Sequence, residues 1–120
     1  MPIAADPALS MEAKLFRGLS DPKRLAVLKT LRNGELCVSD IVNATGLSQP
    51  NVSGHLACLR DCGLVASRQD GRSVFYSLAD ESMETIFLAS EDIIGRVARR
   101  LFECANYRTE SESKSAGQKS

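Results

Sequence analysis

Residues 44–50 read Ala-Thr-Gly-Leu-Ser-Gln-Pro, and this segment constrains the fold more than any other part of the 120-residue chain. Gly46 is the residue type that commonly ends a helix in the left-handed conformation. Two positions later, Ser48 can cap a new helix, and Pro50 suits its first turn. The segment therefore predicts two helices joined by a tight turn.

Capping residues, glycines and apolar spacing predict the elements on either side of this turn. Asp70-Gly71 signals a hairpin because such a turn needs a positive φ. The predicted fold class is mainly α with a small β-hairpin, in the order α-α-α-α-β-β-α, which is a winged helix-turn-helix. The predicted helices cover 9–18, 22–33, 38–44, 48–62 and from about 81 to near Cys104, and the strands cover 64–68 and 73–78.

The chain length suits one domain with short tails. We predict disordered tails over residues 1–8 and 105–120 and a folded domain over residues 9–104. The N-terminus lacks a basic segment followed by an apolar stretch, and no apolar run is long enough to cross a bilayer. We therefore expect a cytoplasmic protein without a membrane partner, whose four cysteines are not paired in disulfides.

A short helix, a glycine turn, a capped helix and a wing form the arrangement in which the second helix enters the DNA major groove. The net charge is zero, with 15 basic and 15 acidic residues, so the prediction of DNA binding rests on this geometry and not on overall charge. Short hydroxyl and amide side chains at the start of the helix can bond bases, and an arginine at the wing tip can reach a minor groove. The predicted DNA contacts are Ser48, Gln49, Asn51, Ser53, His55, Arg68 and Arg72.

Two other classes of function fit the sequence poorly. An enzyme is not indicated, because the chain has no glycine-rich phosphate loop, no spaced Ser/His/Asp set and a single histidine. An architectural DNA binder would need many phosphate contacts, which the zero net charge does not favour.

Cys58 and Cys62 are the residues with the clearest site chemistry. A spacing of four places them one helical turn apart, about 40° apart in projection, and two thiolates so placed can share one soft metal ion. They lie beside the predicted apolar stripe and not within it. The residues alone also allow inert, buried cysteines.

Four motifs together resemble the ArsR/SmtB family of metal-responsive repressors: DPKR before the second helix, ELCVSD before the third, LSQPNVSGHL in the recognition helix, and GRSVFY in the wing. The likeness covers residues 12 to about 103. It implies an obligate homodimer packed through the first and last helices, which binds an inverted-repeat operator in double-stranded DNA and leaves it when an inducer binds. The long apolar stripe of the last helix agrees with a dimer.

The stretch NVSGHLACLRDCGLV, with a cysteine near the C-terminus, resembles the cadmium- and lead-sensing branch of this family. The resemblance implies a metal site of Cys58, Cys62 and Cys104. Three sulfurs suit Cd(II) or Pb(II) as inducer, with Hg(II), As(III) or tetrahedral Zn(II) as alternatives. A thiol redox sensor on the same fold is another alternative, although cysteines four apart in an intact helix are poorly placed to bridge.

Two other metal sites of the family are not expected in this chain. One branch has ELCVCD, whereas this chain has Ser39 in place of the second cysteine. Cys37 alone is therefore expected to have a structural role. The zinc- and nickel-sensing branches use histidine ligands on the last helix, and the one histidine here, His55, lies in the recognition helix.

Overall fold

A computed structural model describes the backbone of residues 2–116 and the side chains of residues 2–100 and 103. The chain divides into two compact units, one ending at Met83 and one beginning at Glu84. The helices are α1 (Pro7–Gly18), α2 (Pro22–Thr30), α3 (Val38–Thr45), α4 (Gln49–Asp61) and α5 (Ser82–Ala116). The strands are β1 (Leu36–Cys37), β2 (Val65–Asp70) and β3 (Ser73–Leu78), and single 3-10 turns cover Ile3–Ala5 and Leu31–Asn33.

The predicted winged helix-turn-helix order is confirmed, but the sheet has a third strand that the sequence did not predict. Leu36 and Cys37 pair antiparallel with Tyr76 and Phe75, so that β3 lies between β1 and β2. A strand of two residues has no alternating pattern to detect, and it forms because the outer edge of β3 offers it hydrogen bonds. This strand connects the wing directly to the start of α3.

The helix starts follow their capping residues. Asp6 accepts a hydrogen bond from Ala8 N–H (3.0 Å), and Asp21 accepts one from Arg24 N–H (2.9 Å); a proline follows each cap. The aspartates satisfy amide groups that have no partner within the helix. Capping at Asp6 starts α1 at Pro7, two residues earlier than predicted.

The last helix continues beyond its predicted end near Cys104 and reaches Ala116. No glycine or proline interrupts the chain between Gly95 and Gly117, so no residue type there favours an earlier end. The first part of the predicted C-terminal tail is thus helical, and residues 117–120 lie outside the described residues.

The core of the first unit comes mainly from α2, α3 and α4. The stripe on α4 that the sequence predicted is confirmed, since Val52, Leu56 and Leu59 are each at most 1% exposed. Burial of this stripe orients α4, so that its opposite side faces away from the core. The other buried apolar residues of this unit are Val27, Leu28, Leu31, Ile41, Leu64, Val65 and Met83.

Several large apolar side chains remain exposed. On α1, Met11 and Phe16 are 75% and 55% exposed, and on α5 Ile93 and Ile94 are 50% and 59% exposed. Among the described residues, no helix is both long enough and apolar enough to span a bilayer.

Candidate nucleic-acid interface and thiol pair

The turn between α3 and α4 is built by short side chains and one left-handed glycine. Gly46 has φ of 77°, and its N–H donates to the carbonyl of Val42 (2.9 Å). The Thr45 hydroxyl donates to the Ile41 carbonyl (2.7 Å) and accepts from Leu47 N–H (3.2 Å). These bonds fix the direction in which the chain enters α4.

Ser48 caps α4, because its Oγ accepts a hydrogen bond from Asn51 N–H (3.3 Å). The side chains of Gln49, Asn51 and Ser53 are exposed, and His55 is half-buried. The predicted reading residues therefore lie on the N-terminal half of α4. In a helix-turn-helix, this is the part of the helix that contacts base edges.

A small groove of about 190 Å³ lies between α3 and the start of α4. It is lined by Val38, Ser39, Val42, Asn43 and Gln49. Ser39 and Asn43 are exposed, and neither is among the DNA contacts predicted from the sequence. The position of these two residues on the first helix of the motif makes them candidates for phosphate contacts, because that helix crosses the DNA backbone.

The wing ends in a two-residue turn formed by Gly71 and Arg72, since Asp70 pairs with Ser73. Gly71 has φ of 62°, and no residue other than glycine has a positive φ in the described chain. Only the first central residue has a positive φ, as in type II′ turns. The side chain of Arg72 is exposed at the tip, where the sequence predicted it.

Arg68 is exposed on β2 but is already paired. Its guanidinium donates to both carboxylate oxygens of Glu35 and lies 5.0 Å from the centre of the Phe75 ring. The hydrogen bond from Arg68 lowers the pKa of the Glu35 carboxyl below its ordinary value. A DNA contact by Arg68 would therefore require this pair to separate or to share the guanidinium.

The two thiols lie at the opposite end of α4 from the reading residues. Cys58 and Cys62 are both free and exposed, and the N–H of Cys62 donates to the Cys58 carbonyl (3.0 Å), so one intact helical turn separates them. Because both side chains are exposed in the single chain, these cysteines do not pack in its hydrophobic core.

Cys62 is also the C-cap of α4, and the chain passes from it into the wing through a Schellman motif. Gly63 has φ of 81° and donates to the carbonyl of Arg60 (3.0 Å), while Leu64 N–H donates to the carbonyl of Leu59 (2.9 Å). β2 begins at Val65, directly after this motif. The thiol pair thus lies at the junction between the recognition helix and the wing.

A pocket of about 240 Å³ lies beside this junction, between α1 and the end of α4. Its lining combines apolar and polar side chains with one thiol. The lining residues are Met11, Lys14, Leu15, Asp61, Cys62 and Leu64.

The other two cysteines differ from this pair. The Cys37 thiol donates to Asp40 Oδ2 (3.1 Å) and lies 3.2 Å from Ser39 Oγ at the start of α3, where it helps to cap the helix. The side chain of Cys104 lies outside the described residues. Among the side chains that are described, no three His, Cys, Asp or Glu residues form a group that could hold a metal ion.

Known proteins with similar sequences are transcriptional regulators. The family model for bacterial regulatory proteins of the arsR family matches residues 21–67. The chain is 36% identical over 102 residues to the probable mercury resistance operon repressor of Streptomyces lividans. This match covers 85% of this chain and 82% of that protein. It is 44% identical over 71 residues to the transcriptional regulator CmtR of Mycobacterium tuberculosis, covering 59% of this chain and 60% of CmtR.

A solved structure with the same architecture is the homodimeric winged helix-turn-helix DNA-binding domain Mb0332 of Mycobacterium bovis. The TM-score is 0.72 at 26% sequence identity, and the match covers 83% of this chain and 93% of that one. The order of helices and the wing are therefore shared with a DNA-binding domain.

Proposed function

The chain belongs to the arsR family of bacterial regulatory proteins, which are DNA-binding transcriptional regulators and not enzymes. From this premise we propose that the protein is a dimeric repressor that a thiophilic metal ion releases from its operator. One observation carries the proposal. The exposed polar residues at the start of α4 and the exposed thiols at its end belong to the same helix. A ligand that binds the thiols therefore acts on the element that reads DNA.

For the DNA-bound state, we propose that α4 enters the major groove and that the wing contacts the neighbouring backbone or minor groove. Gln49, Asn51 and Ser53 then face base edges, and His55 lies further along the same helix. Ser48 adds a backbone contact at the cap. Arg72 and Arg68 contribute from the wing, Arg68 by exchanging Glu35 for phosphate, which offers a similar pair of acceptor oxygens.

For the dimer, we propose that a second copy covers the exposed apolar side chains of α1 and α5, including Met11, Phe16, Ile93 and Ile94. Exposed apolar groups of this size are typical of protein interfaces. A two-fold dimer presents two copies of α4 to an inverted repeat, whose half-sites lie about 34–36 Å apart or a multiple of that distance. The homodimeric state of Mb0332 supports this assembly.

For the inducer, we propose Cd(II) or Pb(II) bound by Cys58, Cys62 and Cys104. Soft thiolates select such ions over harder ones, and three sulfurs leave a tetrahedral Zn(II) site incomplete. Hg(II) is the second candidate, because the relative from Streptomyces lividans is named for mercury resistance. A redox response through a bridge between Cys58 and Cys62 is less favoured, because their helical turn is intact.

The proposed coupling acts at the junction of helix and wing. Metal bound at Cys62 changes the C-cap of α4, and the Schellman motif transmits that change to β2. Coupling between two sites is typically about 1–3 kcal/mol, or roughly 5- to 150-fold in affinity.

The test combines spectroscopy with DNA binding. Cd(II) and Pb(II) are titrated into the reduced protein while thiolate-to-metal charge transfer is followed in the ultraviolet, with each cysteine replaced in turn by serine. Fluorescence anisotropy with an operator obtained by in vitro selection then measures DNA affinity with and without metal. Unchanged affinity in the presence of Cd(II), Pb(II) and Hg(II) would refute metal-controlled release. A response that survives Cys58→Ser and Cys104→Ser would refute only the ligand set.

A further inference from the structure

The guanidinium of Arg68 on the wing lies between two carboxylates. It donates to both carboxylate oxygens of Glu35, and its Nη1 lies 3.7 Å from Asp70 Oδ2. Asp70 is two positions after Arg68 on β2, so both side chains project from the same face of the sheet. Acidic groups therefore surround the group on this face that would bind a phosphate.

The ring of Phe75 holds this arrangement in place without burying it. Arg68 and Phe75 are opposite each other on neighbouring strands, and the guanidinium lies 5.0 Å from the centre of the ring. Contact with a ring and a two-point pair together fix the orientation of a guanidinium. The side chains of Arg68 and Glu35 are still 52% and 40% exposed. A DNA phosphate can therefore reach the pair, but it meets an arginine whose charge is already neutralised.

Glu35 also changes the charge balance of the wing. Residues 65–78 contain two arginines, Arg68 and Arg72, and one acidic residue, Asp70, so their net charge is +1. Glu35, which the structure places against Arg68, brings this charge to zero. Binding to DNA of any sequence depends on phosphate contacts by basic residues. The carboxylate of Glu35 thus removes charge where the wing would meet the DNA backbone.

We propose that Glu35 limits the DNA affinity of the wing by occupying the phosphate-binding groups of Arg68. Carboxylate and phosphate each offer a guanidinium a pair of acceptor oxygens, so DNA gains Arg68 only by displacing Glu35. The exchange replaces one two-point pair by another and leaves a free carboxylate near the DNA backbone, so it adds little affinity. The inference rests on the proposed function, because it requires the wing to lie against DNA.

Glu35→Gln tests the proposal, because it keeps the size of the side chain and removes its charge. Fluorescence anisotropy measures binding of the metal-free, full-length protein to a labelled duplex of random sequence at several salt concentrations. We expect the affinity to rise by about five- to tenfold near 0.1 M salt, and the slope of log affinity against log salt to steepen by about 1, as for one additional phosphate contact. Unchanged affinity and slope in a folded Glu35→Gln protein would overturn the proposal.

Arg68→Ala separates occupation of Arg68 from direct repulsion between Glu35 and DNA. In the Arg68→Ala background, Glu35→Gln should lose most of its effect. A gain of equal size in both backgrounds would show direct repulsion and would overturn the proposal. Arg68→Ala alone needs no change at Glu35, and it should cost little affinity because its charge is already paired. A loss as large as that of Arg72→Ala would also overturn the proposal.

Asp92→Asn is the matched control for the loss of one negative charge. It removes a carboxylate from another exposed arginine, Arg96 on α5, and should leave the affinity for DNA unchanged. A gain equal to that of Glu35→Gln would assign the effect to net charge and overturn the proposal.

The proposed function and this inference can fail separately. Arg72→Ala reports whether the wing lies against DNA at all. Weaker binding in Arg72→Ala together with unchanged binding in Glu35→Gln would keep the wing on DNA and refute only the role of Glu35. If Arg72→Ala, Arg68→Ala and Glu35→Gln all bind as wild type does, the proposed DNA contact of the wing is refuted, and the role of Glu35 with it. None of these measurements uses metal, so their outcome is independent of the proposed inducer.

Discussion

Arg68 donates hydrogen bonds from Nε and Nη2 to the two carboxylate oxygens of Glu35, the first at 3.2 Å. Arg68 lies on β2, and Glu35 immediately precedes β1, so the pair joins the two outer strands across the ring of Phe75 on β3. Two-point pairing of guanidinium and carboxylate is specific in geometry. It connects the wing to the segment that leads into β1 and α3.

Glu35→Gln should lower the thermal midpoint of unfolding at neutral pH. Arg68 lowers the pKa of Glu35 from its ordinary 4.5, so the stabilisation is present above that value and is lost as pH falls through the lowered pKa. The midpoints of wild type and variant should therefore converge in acid. Calorimetry from neutral pH to about pH 3 measures this. If Asp92→Asn, which removes an exposed pair with Arg96, behaves identically, the effect belongs to net charge and not to this pair.

Arg72→Ala should weaken operator binding without changing stability, since Arg72 is exposed at the wing tip. Loss of one phosphate contact should reduce the slope of log affinity against log salt by about 1. Anisotropy at several salt concentrations gives the slope. Arg17→Ala removes the same charge from exposed α1 and should leave the slope unchanged; a wild-type slope in Arg72→Ala would place the wing tip away from DNA.

Ser48 allows capping and DNA binding to be separated. Ser48→Ala should cost about 1 kcal/mol of stability, because Asn51 N–H loses its acceptor. Ser48→Asp keeps an acceptor at the cap and should retain stability, but its negative charge should repel phosphate and reduce DNA affinity. Urea unfolding and anisotropy measure the two effects. Full DNA affinity in Ser48→Asp would show that the cap does not face the operator.

Gly63→Ala should destabilise the protein by about 1 kcal/mol or more, because φ there is 81°. A Cβ at this position would meet nothing within 4 Å, so the cost comes from the backbone alone. Gly54→Ala is the matched control on the same helix; it also meets nothing, and it should stabilise α4 by about 0.5–1 kcal/mol. Urea unfolding of both variants measures the change in the free energy of unfolding, which should be negative for Gly63→Ala and positive for Gly54→Ala. Equal changes in stability for the two variants would mean that the left-handed conformation of Gly63 does not require glycine.

Local signals in the sequence were sufficient for most of the fold. Asp21, Gly46 and Ser48 act on amide groups within a few residues of themselves, so their types alone predicted where helices begin or end. The apolar stripe of α4 was predicted in the same way from its period. The missed strand β1 has only two residues, and its partner lies in the distant wing.

The candidate site was less predictable because its contacts are not local. Arg68 was predicted as a DNA contact, but its partner Glu35 lies 33 residues earlier in the chain and no local pattern connects them. The pocket beside Cys62 depends on α1 packing near the end of α4, which spacing within α4 cannot reveal. The relation of Cys104 to the other two thiols also depends on tertiary and quaternary structure, so it stays a prediction.

The Schellman motif joins the end of α4 directly to the wing, since β2 begins at Val65, the residue after the motif. We therefore expect a displacement at Cys62 to move the proposed DNA contacts of α4 and of the wing together. Because free energies add, the corresponding losses of affinity multiply, and the two protomers of a dimer multiply them again. We therefore expect a small movement at the thiols to cause a large change in DNA affinity.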